Sequence, residues 1–166
     1  MYQAGQKVIY SIHGVCQIVA VEVKRIGSER KEYYCLEPVD QPGAVFYVPT
    51  GNMAAVAKMR PIISRAEFED LFARQKSEEW VWIEDENQRK LYYRELITQN
   101  DRGALISTVG ALYRHKRQQI ENGRKFHICD ENFLKYATRL LSAEFSLVLG
   151  IPQSEVAAYM KEQLEG

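Results

Sequence analysis

The sequence is poor in the residues that most often mark chemistry. It has three histidines and three cysteines in 166 residues. Cys16, Cys35 and Cys129 lie far apart with no C-x-x-C pair, which argues against a disulfide framework or a zinc knuckle and reads as three packing thiols. His13, His115 and His127 are isolated along the chain, and there is no P-loop, G-x-G-x-x-G, G-x-S-x-G or H-E-x-x-H motif. No apolar run approaches the roughly 20 residues of a membrane span, and the N-terminus has no basic-then-apolar leader. Neither sign of charge is in excess, with 22 basic against 22 acidic residues. These absences lead us to expect a cytoplasmic protein that is not an enzyme and that needs neither cofactor nor metal.

What is present is organised around one stretch. Gly5-Gln6-Lys7-Val8-Ile9-Tyr10-Ser11-Ile12-His13-Gly14-Val15-Cys16-Gln17-Ile18-Val19-Ala20-Val21 holds two apolar runs broken at His13-Gly14. That pattern predicts two strands joined by a tight connection, with Gly14 supplying a backbone angle that a β-carbon resists. Val21 and Val23 then alternate with charges up to Ile26, and Gly27-Ser28 turns the chain. Lys31 to Pro38 and Ala44 to Pro49 are further strands, each stopped by proline, with Asp40-Gln41-Pro42-Gly43 as the turn between them. Four or five short strands in some fifty residues predict a small SH3- or Tudor-like β-barrel over residues 1–60.

Near Met59-Arg60-Pro61 the pattern changes, and residues 61–166 read as all-α. The expected class is therefore α+β. Ser64 with Glu67 forms a capping box for a helix carrying Phe68, Leu71 and Phe72. The aromatic cluster Trp80-Val81-Trp82-Ile83 follows, then Glu84-Asp85-Glu86, acids that suit the start of a helix. A helix over about Glu86–Gln99 places Tyr92, Tyr93, Leu96 and Ile97 on one face. Asp101 caps the next, with Leu105, Val109, Leu112 and Tyr113 inward and Ser107, Gly110, Arg114 and Arg117 opposite. Asp130 is the expected cap of a largely buried helix that Gly150 closes, and Pro152 opens the last helix.

The zero net charge conceals a strong asymmetry. Ser64 to Glu86 has three basic residues against eight acidic, and His127 onward has three against six. Between them, Asn87 to Phe126 has nine basic residues against three acidic. Such a field suits phosphate, though a charged helical face is also commonly just solvated. The tyrosines among these cations could stack on bases or pack in a core, and Trp80 and Trp82 could wedge between base steps or pack.

Taken together, the barrel opening G-x-x-V-x-Y-x-x-H-G (Gly5, Val8, Tyr10, His13, Gly14), then Lys31-Glu32-Tyr33 and Val48-Pro49, resemble one family. The helical half adds Arg89 with Tyr92, Val109 to Tyr113, and Asp130 to Leu149. The chain resembles the CarD/CdnL family of bacterial transcription regulators, whose barrel is similar to the RNA polymerase-interaction domain of transcription-repair coupling factor. The resemblance implies that the barrel binds the polymerase β subunit by strand pairing, through Lys24, Arg25, Val45, Phe46, Tyr47 and Val48. It implies that a helical domain meets promoter DNA at the upstream edge of the bubble and stabilises the open complex. The residues expected there are Trp82, Arg89, Lys90, Arg114, Lys116, Arg117, Arg124 and Lys125. Two positions depart from the family: Tyr47 stands where an arginine is frequent, and Glu86 stands where other members have the tryptophan that enters the minor groove. Trp82, one turn earlier, becomes the candidate wedge. The expected state is a monomer with polymerase and promoter DNA as partners and no membrane. The rival reading is a protein-interaction module without DNA binding.

Overall fold

The structure, a computed structural model, describes residues 1–78 and 81–165. It divides into two compact units, Met1–Ile62 and Ile63–Gly166.

The first unit is an antiparallel sheet of β1 (Lys7–Tyr10), β2 (Val15–Ile26), β3 (Glu29–Pro38), β4 (Phe46–Pro49) and β5 (Met59–Pro61), in the order β4-β3-β2-β1-β5. A 3-10 turn, Ser11–His13, and Gly14 join the first two strands. Gly14 has φ 73° and ψ −145°, a combination open essentially to glycine alone. Gly27, at φ 65°, turns the long β2–β3 hairpin. A bulge between Ile18 and Ala20 shifts the register of that hairpin. Val8, Cys16, Ile18, Tyr34, Leu36, Val48 and Met59 form the core. Burial pushes the Cys16 thiol up to about 11, as suits a packing residue. β4 and β5 are the two ends of the sheet order, and no ladder joins them among the described residues. The strands expected from the sequence thus form one five-stranded antiparallel sheet, and no closure into a barrel is seen among the described residues. Two short elements are additional: a four-residue helix α1 (Met53–Val56), capped by the Asn52 side chain, and β5 itself.

The second unit holds α2 (Arg65–Ser77), α3 (Glu86–Gln99), α4 (Arg102–Glu121), α5 (Ile128–Leu149) and α6 (Gln153–Glu165). Ser64 and Glu67 make the predicted capping box in both directions. Asp101 accepts from the Ala104 N–H at 2.8 Å, as expected. At α5 the cap is His127, whose Nδ1 accepts from the Cys129 N–H, so the expectation for Asp130 is corrected. Asp130 lies in the first turn and is buried. Two left-handed residues, Asn100 (φ 49°) and Gly150 (φ 67°), end α3 and α5. Phe68, Phe72, Leu105, Val109, Leu112, Phe133, Leu141, Phe145, Val156 and Met160 fill the core. Glu144 is buried within this core, where it accepts from Arg102 and from the Ile63 N–H. Tyr92 and Gly110 exchange places with their predictions: Tyr92 is exposed and Gly110 is buried.

Candidate functional site

In the first unit the candidate site is β4. It pairs with β3 through Tyr34↔Val48 and Leu36↔Phe46. The Thr50 N–H donates to the Glu32 carbonyl at 3.0 Å, which fixes the facing of the strand. Alternate residues of an antiparallel strand face alternate ways, so Val48 and Phe46 bond toward β3 while the Tyr47 N–H and C=O point to the open edge. Pro49 has no N–H and limits that edge to a short template. Phe46 is held by ring contacts with His13 (4.2 Å) and Tyr10 (5.8 Å), so the His13-Gly14 turn positions this strand.

The six residues expected to meet a partner here are differently placed. Val48 is core, 1% exposed, and acts through the backbone. Val45 and Tyr47 are exposed, and Phe46 is half-buried. The Lys24 ammonium lies 4.8 Å from the Tyr47 ring centroid and 2.9 Å from Glu22 Oε1. It therefore sits beside the open edge. Arg25 is exposed and donates to the Gly27 carbonyl.

In the second unit the chemistry concentrates around Arg89. Its Nε and Nη2 donate to the two oxygens of Asp130, each at 3.0 Å, and Nη1 donates to the carbonyls of Ile83 and Glu84. The Tyr93 hydroxyl donates to Asp130 Oδ1 at 2.6 Å. Burial pushes the Asp130 carboxyl up, but the bonds from Arg89 and Tyr93 outweigh it and hold the group below the usual aspartate value of 3.8. Burial, then the bond to Asp130, raises the Tyr93 phenol far beyond any physiological pH. Arg89 is only 7% exposed. The expectation that it reaches DNA phosphate is corrected: its guanidinium ties α3 to α5 and to the strand of chain before α3.

Trp82 is likewise engaged. Its ring stacks on His115 at 3.7 Å and 9°, with the Arg89 guanidinium carbon 4.8 Å from its centroid. It packs, partly buried, against the helical core. Burial lowers the His115 pKa, favouring the neutral ring. Trp82 thus forms one wall of a pocket of about 350 Å³ with Arg89, Tyr92, Tyr93 and Ser107, not a projecting wedge. Trp80 lies outside the described residues.

The remaining expected cations are at the surface to different degrees. Lys90 is paired with Glu86 at 2.5 Å, and Lys116, half-buried, with Glu131 at 2.8 Å. Arg114 and Arg117 are exposed on the second half of α4, one turn apart, and Arg124 and Lys125 are exposed in the α4–α5 connection. These four exposed cations lie within one short length of chain, residues 114–125.

No helix among the described residues is long and apolar enough to cross a membrane. No curated protein matches the chain. Residues 2–63 match the CarD-like/TRCF RID domain family, a protein-interaction domain of transcription-related, RNA polymerase-interacting proteins. The match spans the five-stranded unit and its α1 turn. The N-terminal unit, residues 2–63, therefore belongs to the CarD-like/TRCF RID domain family.

Proposed function

We propose that the protein is a transcription regulator that binds the RNA polymerase β subunit through β4 and promoter DNA through the second unit. The observation that carries this reading is the outward-facing backbone of Tyr47 on the open edge of a domain of the RNA polymerase-interacting family. Strand addition there gives affinity by main-chain hydrogen bonds, and Lys24 and Arg25 set register by charge. The exposed cations Arg114, Arg117, Arg124 and Lys125 contact phosphates without reading sequence. Tethering to polymerase raises the effective DNA concentration, so these contacts can be weak. A preference for the opened upstream junction then shifts the closed-to-open equilibrium by no more than that preference.

The test is recovery of partners on the tagged full chain from host lysate treated with nucleases. The β subunit is expected to co-purify, and to be lost with Lys24→Glu plus Arg25→Glu. Tyr47→Pro, which removes the outward N–H and leaves the β3 ladder bonds in place, should also lose it. The variant lacking Arg114, Arg117, Arg124 and Lys125 should retain polymerase and lose its effect on promoter opening. Recovery of another protein without polymerase would replace this reading with that of an interaction module.

A further inference from the structure

We propose that Glu86, His127 and Cys129 form a binding site for a transition-metal dication of the zinc class, joining the start of α3 to the start of α5. One ligand atom from each residue lies within 4.8 Å of the others. The His127 Nε2 and Glu86 Oε2 atoms are 3.2 Å apart. Zinc–nitrogen and zinc–oxygen bonds of about 2.0–2.2 Å at a tetrahedral angle need a nitrogen–oxygen separation of about 3.3–3.5 Å. Two of the three donors are thus already spaced as a metal would hold them. The donor set also has the right chemistry, since thiolate with imidazole selects zinc-like ions over magnesium or calcium.

Neighbouring groups support the ligands from outside. Glu86 presents Oε2 to the site while Lys90 holds its other oxygen. The Cys129 thiol donates to Asp130 Oδ1 at 3.6 Å, a bond given up when the sulfur binds as thiolate, and the Arg89 guanidinium paired with Asp130 offsets that carboxylate's charge. A ligating carboxylate held in place by its own hydrogen bond, as Lys90 holds Glu86, is the usual second layer of a metal site. Glu86 and Cys129 are half-buried and His127 is exposed, so an ion can enter from solvent and keep water as a fourth ligand. The Cys129 thiol releases its proton to solvent on binding, and His127 binds as neutral imidazole. Coordination through Nε2 places the ring proton on Nδ1, so the cap bond from the Cys129 N–H is given up. With a dication gained and one proton lost, this end of the unit becomes more positive by one charge. Sequence alone does not reveal the trio, because Glu86 lies some forty residues from the other two.

The experiment is a titration of the reduced, metal-free full chain with Co²⁺, followed by Zn²⁺. One Co²⁺ per chain is expected, with tetrahedral d–d absorption and a thiolate-to-cobalt charge-transfer band that Zn²⁺ abolishes. Cys16 and Cys35 are buried in the first unit, so the band reports Cys129. Cys129→Ser should remove the band, and Glu86→Gln should weaken Co²⁺ affinity by at least about tenfold. Absence of a charge-transfer band, or its persistence in Cys129→Ser, overturns the proposal. Should Cys129→Ser not fold, unchanged affinity in Glu86→Gln overturns it equally. None of these readouts involves polymerase or DNA, so failure here leaves the proposed function standing.

Discussion

Arg89 and Asp130 illustrate how a residue changes meaning once its partner is known. In the sequence Arg89 belongs to a basic run, and Asp130 looks like a cap. In the structure they are a buried, two-pronged ion pair with the Tyr93 hydroxyl as a third member. Removing one partner leaves an uncompensated charge in the interior, which costs about 3–5 kcal/mol. Arg89→Ala is therefore expected to lower the unfolding free energy of the second unit by about that much in urea melts. Arg117→Ala, at an exposed position of α4, should change it by less than about 0.5 kcal/mol. Acid should act on the second unit in two stages. His115 binds its proton less readily folded than unfolded, so stability declines as pH falls below 6.5. Asp130 also has its folded value depressed, so a second loss begins as pH falls below about 3.8. Urea midpoints measured from pH 8 to pH 3 should show both, and Asp130→Asn should abolish the lower one.

At the scale of elements, local signals were readable and distant ones were not. Ser64, Asp101 and the glycines after β2 and α5 act within a turn of their own position, and the structure bears out each. Ser64→Ala is expected to cost about 0.5–2 kcal/mol by thermal denaturation, through the unpaired Glu67 N–H. Gly14→Ala should cost about 1–3 kcal/mol from backbone conformation alone, because the space around a new Cβ is open. Unchanged stability in Gly14→Ala would mean that the turn relaxes and that β4 is not positioned by it. β5 escaped the sequence because it is three residues long, ends in Pro61, and owes its existence to pairing with β1 fifty residues earlier. The His127 cap escaped because Asp130, a better capping residue by type, stood three positions later. The open edge of β4 was legible as a strand ended by proline, whereas the burial of Val48 and the stacking of Trp82 needed three-dimensional neighbours.

Across the whole molecule the zero net charge is the least informative number, because the basic stretch of α3 and α4 is offset by acids elsewhere in the chain. If the exposed cations of residues 114–125 contact phosphates, log affinity for duplex DNA falls linearly with log salt, by about 0.9 for each contact. Replacing Arg114, Arg117, Arg124 and Lys125 by alanine is expected to flatten that slope toward zero, which titrations at several salt concentrations would read directly. A slope unchanged by the four substitutions would move the interface to another face. The α+β class, the order of sheet before helices and the family of the first unit were all open to a reader of the sequence. The lack of a ladder between β4 and β5 among the described residues and the commitment of Arg89 to the interior were not.

The division of the chain also has a consequence for how it is made. All five strands lie between Lys7 and Pro61, and their ladders call on nothing later in the chain. The helices differ, because Asp130 and Glu144 on α5 complete bonds begun by Ile63, Arg89 and Arg102. On the ribosome, at about 5–20 residues per second, the sheet has several seconds to settle while α5 is still being added. The five-stranded unit is thus finished first, before the helices that complete the second unit have left the ribosome.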